Sequence, residues 1–115
     1  MKKDEKPYLL HIVEASDRVL EYVACGKEKF FNDYMVQDAT VKVLANIAES
    51  AGNVSDETKK QYTEIDWGLV KSFRNFLMHD YLGDVDYAVI WKIIHEDLPD
   101  LVKVAKRILK EKYGV

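Results

Sequence analysis

The chain has 115 residues, of which 48% are hydrophobic and 32% are charged, with a formal net charge of −3 and a pI near 5.6. This length predicts one domain over residues 1–115, and the acidic balance excludes a protein that holds nucleic acid through a broad basic surface. No apolar run is long enough to span a bilayer, the first residues lack the apolar stretch of a signal peptide, and the single cysteine, Cys25, cannot form an internal disulfide, so we expect a cytoplasmic protein without membrane contact.

Apolar residues recur at spacings of three and four through the first half of the chain and predict two long helices. The first is expected over residues 7–24. Residues 27–31 are expected to form a short helical turn or a loop that buries two aromatic rings. Asn32 or Asp33 can then cap the second long helix, which ends at Gly52.

Polar caps and breaking residues divide the second half of the chain. Ser55, Asp66 and Asp86 each precede an apolar or acidic first turn and are predicted to be the N-caps of three further helices. Pro99 either starts a new helix or kinks the one that Asp86 begins, because proline lacks the N–H that an interior position needs. Gly114 is expected to end the last helix.

No stretch alternates apolar and polar residues at a period of two, so no sheet is expected. Each predicted helix has one apolar stripe that must be buried against its neighbours. The fold class predicted from this pattern is all-α, an antiparallel bundle of four principal helices with short helical segments between them.

The helix after Asp66 leads into the densest group of reactive side chains in the chain, Arg74, Asn75, His79 and Tyr81. An arginine offers a planar fork to phosphate oxygens, and a histidine can move a proton near neutral pH. This set therefore suits a phosphodiester better than a carbonyl. The buried stripe of the helix is predicted from residues that recur at i, i+3 and i+7: Val70, Phe73 and Leu77.

A step of five residues turns an ideal helix by about 500°, which would leave Arg74 and His79 roughly 140° apart on an unbroken helix. The two side chains can meet only if the helix ends between them. We therefore expect the helix to end near Met78, so that His79 and Tyr81 leave on a loop while Arg74 stays on the last rigid turns.

The run from Arg74 to Tyr81 matches an Arg-x4-6-His-x-Tyr motif, and with it the chain resembles HEPN domains, in particular the HepT-like toxins of prokaryotic toxin–antitoxin pairs. The resemblance extends over nearly the whole chain, through Gln37-Asp38-Ala39, Glu64-Ile65-Asp66-Trp67, Trp91 and Asp97-Leu98-Pro99. This chain has Ala48-Glu49-Ser50 where the family usually shows Gly-Glu-Ala.

The resemblance implies a metal-independent endoribonuclease that needs no cofactor, in which an RNA 2′-hydroxyl attacks the adjacent phosphate. His79 would transfer the proton, Arg74 would stabilise the charge on the phosphoryl oxygens, and Asn75 would orient one of them. One histidine cannot be acid and base at the same instant. The resemblance implies a homodimer, in which two copies of the motif would face one cleft.

The resemblance also implies a partner, a nucleotidyltransferase antitoxin of a type VII-like system, which in some members transfers AMP to the tyrosine that matches Tyr81. A bulky anionic group there would occlude the RNA phosphate. The alternative is a non-catalytic HEPN interaction module that binds a nucleotidyltransferase and positions its substrate. In that case Arg74 and His79 would form an interface or a buried polar pair, and Tyr81 would only pack or donate one hydrogen bond.

The other two histidines, His11 and His95, are expected to be packed or solvent-facing residues and not catalytic ones. His-x3-His and Cys-x2-Cys pairs are absent from the sequence, so no metal site is predicted.

Overall fold

The structure is a computed structural model and describes residues 4–79 and 85–115. These residues form seven α-helices and one π-helical turn, without a strand: α1 (Lys6–Val23), α2 (Lys27–Asn32), α3 (Tyr34–Gly52), α4 (Asp56–Gln61), α5 (Trp67–His79), α6 (Tyr87–Lys92), the π-helical turn (Ile93–Asp97) and α7 (Leu98–Tyr113). The predicted all-α fold is confirmed.

The four long helices pack as a row in the order α5, α3, α1, α7. Helix α1 lies between α3 and α7, and its apolar side is fully buried at Leu9, Ile12 and Val19. Burying each such side chain contributes about 1.5–3 kcal/mol. Among the described residues helix α5 packs mainly on α3, so it lies at one edge of the row.

Side-chain caps begin the helices where the sequence predicts them. Asp33, Ser55, Asp66 and Asp86 each accept a hydrogen bond from a backbone N–H of the following first turn, at 2.9, 3.1, 3.0 and 3.0 Å. The cap of α3 is thus Asp33 and not Asn32. Gly114, with φ +67°, follows the last residue of α7 as expected, in the left-handed conformation that favours glycine.

The helix predicted after Asp86 ends as α6 at Lys92, and the π-helical turn joins it to α7, which begins at Leu98. The N–H of Leu98 bonds to the carbonyl of Ile93, five residues back, and Pro99 lies in the first turn of α7. Of the two alternatives for Pro99, it lies at the start of a new helix. The missing N–H of a proline costs nothing in a first turn.

A buried carboxylate, Glu5, ties three elements together at one end of the bundle. One oxygen accepts from the backbone N–H of Ser55 at 3.0 Å, and the other accepts from Thr58 Oγ1 at 2.8 Å and from the Tyr113 hydroxyl at 2.6 Å. Burial alone would raise the pKa of Glu5, but these hydrogen bonds outweigh it and lower the pKa. Burial and the bond to Glu5 raise the pKa of Tyr113 to about 12.

In the part of the chain that the structure describes, none of the helices has the length and apolar character needed to cross a bilayer.

Candidate functional site

Helix α5, which carries Arg74, Asn75 and His79, is anchored at its start and along one face. Asp66 caps it, and the indole N–H of Trp67 donates to the backbone carbonyl of Tyr62 at 2.9 Å. Leu77 is buried, and the other two members of the predicted stripe, Val70 and Phe73, are partly buried against the core. This anchoring holds the helix in one rotational setting on α3.

Arg74 lies beside that buried stripe and forms an ion pair with Glu49 of α3. Its Nε is 2.5 Å from Glu49 Oε2, and the two side chains are 35% and 52% exposed. Pairs this exposed contribute about 0–1 kcal/mol, so the contact does little for stability. Its effect is to fix a cation at a set place on the surface.

The geometry of this pair is not that of a hydrogen bond. Arg74 Nε is closed to solvent and has no hydrogen-bond partner among the described residues, although the Glu49 oxygen is close. A guanidinium has five N–H donors, so a contact through Nε leaves donor capacity on the two terminal nitrogens. Arg74 can therefore be held by Glu49 and still present a fork to a phosphate.

Asn75 and Phe76 follow Arg74 on the exposed side of α5. Asn75 is exposed, Phe76 is 36% exposed, and the rings of Phe73 and Phe76 lie nearly parallel with centroids 6.4 Å apart. Two turns before Phe76, Leu69 is 62% exposed. Helix α5 thus carries a fixed cation, an exposed amide and, on another side, uncovered apolar surface.

The end of α5 differs from the prediction. The helix continues past Met78 and includes His79 as its last residue, so the expected release of His79 onto a loop is corrected. The side chain of His79 and all of Tyr81 lie outside the described residues, so their predicted meeting with Arg74 stays a prediction.

Glu49 has a larger place in the site than the sequence suggests. It lies within the Ala48-Glu49-Ser50 run and is the single charged residue between Lys42 and Asp56. A lone carboxylate in an otherwise apolar and small-residue stretch of helix is the signal that could have pointed to a specific partner.

Metal ligands do not cluster in the part of the chain that is described. Residues 4–79 and 85–115 contain no group of three His, Cys, Asp or Glu side chains that could hold a metal ion.

Comparison with known proteins gives one consistent family. The family model described as "Ribonuclease HepT-like" matches residues 12–108. A Methanocaldococcus jannaschii protein named as a candidate RNase is 30% identical over 89% of this chain and 94% of its own length. A candidate RNase of Caldanaerobacter subterraneus subsp. tengcongensis is 32% identical over 95% and 97%. A candidate ribonuclease HepT of Thermococcus cleftensis is 36% identical over 88% and 92%. No solved structure matches the chain.

Proposed function

This chain belongs to the HepT-like ribonuclease family, and we propose that it is a metal-independent endoribonuclease that cleaves RNA by attack of a 2′-hydroxyl on the neighbouring phosphate. The observation that carries the proposal is the Arg74–Glu49 pair, a cation with spare donors held on the exposed edge of α5. Residues 1–115 act as one domain in this proposal, without a cofactor and in the cytoplasm.

The reaction requires a proton to leave the 2′-hydroxyl, a proton to reach the departing 5′-oxygen, and the extra negative charge on the phosphoryl group to be stabilised. We assign the proton transfers to His79 and the charge to Arg74, with Asn75 orienting a phosphoryl oxygen. The product is a 2′,3′-cyclic phosphate. Because the chain is acidic, RNA is held locally by a small set of contacts and not by a long basic groove.

We propose that two copies of the chain build the site. Positions 74 and 79 lie on one helix, and five helical steps separate their backbone directions by roughly 140°. Leu69 and Phe76, seven residues apart and therefore on one side of α5, are uncovered, and α5 packs mainly on α3. A homodimer through this edge covers that surface and brings two arginines and two histidines to one cleft.

We propose that the protein is the toxin of a type VII-like toxin–antitoxin pair and that a nucleotidyltransferase antitoxin neutralises it by transferring AMP to Tyr81. The added phosphate would occupy the place of the RNA phosphate and repel it. Intact-mass measurement after incubation with the partner and ATP should show one added AMP, and Tyr81→Phe should prevent the addition. An unchanged mass of the native protein would leave physical sequestration as the neutralising mechanism.

The nuclease is tested with single-stranded RNA in the presence of EDTA. We expect cleavage that survives chelation and is lost, by at least about a hundredfold, in Arg74→Ala and in His79→Ala, because each removes a charge or proton-transfer group used in the transition state. Arg107→Ala is the matched control, since Arg107 is also an exposed arginine paired with a glutamate, Glu64. Its activity should stay at the wild-type level.

Absence of cleavage by the folded dimer would contradict the nuclease. That result would favour the non-catalytic interaction module, in which the same surface binds a nucleotidyltransferase.

A further inference from the structure

A groove beside the Arg74–Glu49 pair has no role in the proposed reaction. It lies between the start of α1 and the last turns of α3, has a volume of about 380 Å³, and is lined by Pro7, Tyr8, His11, Asn46, Glu49 and Ser50. We call it the α1–α3 groove. It is shallow and open, so it can take a flat group from solvent without any movement of the helices.

His11 is held in one orientation in this groove. Its Nδ1 is 2.7 Å from the hydroxyl of Ser50, across 39 residues of chain, with one of the two groups donating to the other. The described residues make no hydrogen bond to the second ring nitrogen, Nε2. An imidazole fixed through one nitrogen keeps the other available as a donor or acceptor toward a ligand.

The groove is continuous with the proposed site through Glu49. Glu49, whose carboxylate contacts Arg74, is also one of the residues that line the groove. If Arg74 binds one phosphate of an RNA chain, the neighbouring nucleotide of that chain would therefore lie in the groove. The wall carries a carboxylate and no lysine or arginine, which disfavours a second phosphate there.

The residues that line the α1–α3 groove are suited to bind a nucleoside. The lining is mostly apolar, Pro7 and Tyr8 contribute rings to it, and His11 and Asn46 are the lining residues whose side chains can hydrogen-bond a base edge. Single-stranded RNA is recognised by stacking of splayed bases on rings and by hydrogen bonds to base edges. We propose that the α1–α3 groove binds the base and ribose of one nucleotide adjacent to the scissile phosphate of single-stranded RNA, an inference that rests on the proposed nuclease function.

The test separates binding from cleavage. Binding is measured with a mixed-sequence single-stranded RNA in which every 2′-hydroxyl is replaced by fluorine, since this RNA lacks the attacking group. Cleavage is measured with the unmodified RNA of the same sequence. His11→Ala and Asn46→Ala should each weaken binding about tenfold, the lower part of the range for one base contact, and raise KM with kcat changed less than about threefold.

Two further variants test the tether of His11 and provide a control histidine outside the groove. Ser50→Ala keeps the imidazole but removes its tether, so it should weaken binding less than His11→Ala does. His95→Ala removes a histidine that does not line the groove and should bind and cleave as the wild type does. If His11→Ala fails to fold by circular dichroism, Asn46→Ala on its own decides the question.

The outcomes are distinguishable from those for the nuclease itself. If the folded His11→Ala and Asn46→Ala variants bind and cleave RNA as the wild type does, the proposed role of the groove is wrong. The proposed nuclease activity is then unaffected. If both variants bind RNA more weakly than the wild type but neither they nor the wild type cleave it, the proposed nuclease activity is wrong. RNA binding in the groove is then supported. If the wild-type protein neither binds nor cleaves RNA, both the nuclease proposal and the groove proposal are wrong.

Discussion

At the scale of single residues, the contact between Arg74 and Glu49 determines what the guanidinium can do. An arginine free in solvent samples many rotamers, and ordering it on substrate binding costs free energy. Glu49 orders it beforehand with little gain in stability, because both side chains are partly exposed. The carboxylate also offsets part of the positive charge that would attract RNA, so the pair favours orientation over affinity.

The substitution Glu49→Gln tests whether Glu49 orients Arg74 without increasing the affinity for RNA. We expect kcat to fall about tenfold, since a guanidinium misplaced by a fraction of an ångström loses its alignment with the reacting phosphoryl group. KM should not rise, because a negative charge has been removed from the site. The free energy of unfolding should change by less than about 1 kcal/mol, as measured by urea denaturation.

The matched control is Glu64→Gln, which removes the carboxylate of the exposed Arg107–Glu64 pair. Its kcat and KM for RNA should equal those of the wild type. A wild-type kcat in Glu49→Gln, or a rise in KM alone, would contradict a positioning role for Glu49.

At the scale of the helices, the sequence predicts features that depend on neighbouring residues and misses those that depend on distant ones. The caps at Asp33, Ser55 and Asp86 were predictable because an N-cap bonds to a backbone N–H two or three residues away. The Arg74–Glu49 and His11–Ser50 contacts join different helices, and no local pattern specifies them.

The π-helical turn was missed for a different reason. Its flanking core residues, Ile90, Ile94 and Leu98, recur at a constant spacing of four and are all buried. An α-helix would rotate each successive residue by about 40° relative to the core, and a wider turn corrects that drift. The repeated spacing was present in the sequence, but it is also compatible with a continuous amphipathic helix.

The Glu5 cluster links α1, α4 and α7 and makes the stability of this end of the bundle depend on pH. The lowered pKa of Glu5 means that its carboxylate contributes stability above its ordinary pKa, and that this contribution is lost as the pH falls through the lower, folded-state value. Tyr113 acts at the other extreme. Its stabilising effect is complete below pH 10 and is lost as the pH rises toward about 12.

Glu5→Gln should therefore lower the free energy of unfolding at pH 7 by roughly 1–3 kcal/mol, because an amide nitrogen replaces an oxygen that accepts a hydrogen bond. The difference from the wild type should shrink when urea unfolding is repeated at pH values stepping down from 6 to 3. Asp4→Asn, which alters the neighbouring carboxyl, is the control for general charge effects. A difference that stays constant or grows in acid would contradict the role of the Glu5 carboxylate.

At the scale of the whole molecule, the row of helices leaves the proposed site at an edge. Helix α5 is covered by α3 on one face, while Leu69 and Phe76 are uncovered on another. Arg74 and Asn75 lie on the same helix, and positions 74 and 79 point in backbone directions separated by roughly 140°. A second copy at this edge would bury the apolar surface and complete a cleft that one copy leaves half built.

Mixing two inactive variants tests whether the site needs two copies. Arg74→Ala lacks the cation in both halves of its dimer, and His79→Ala lacks the imidazole in both halves. After the two are unfolded together and refolded, about half of the dimers are mixed on statistical grounds, since symmetric dimers form by self-complementary association. Each mixed dimer holds one intact arginine and one intact histidine in opposite chains.

We therefore expect the mixture to regain part of the wild-type rate of RNA cleavage, at most about half, since about half of the dimers are mixed and the cleft of each holds one arginine and one histidine where the wild type has two of each. The separately refolded variants, assayed at the same total concentration, should remain inactive. Leu69→Asp placed in both chains should remove the recovery and shift the size-exclusion profile to the monomer, because a buried carboxylate opposes association at an apolar contact. A co-refolded mixture no more active than its components would mean that Arg74 and His79 act within one chain, and the edge of α5 would then need another explanation for its exposed apolar residues.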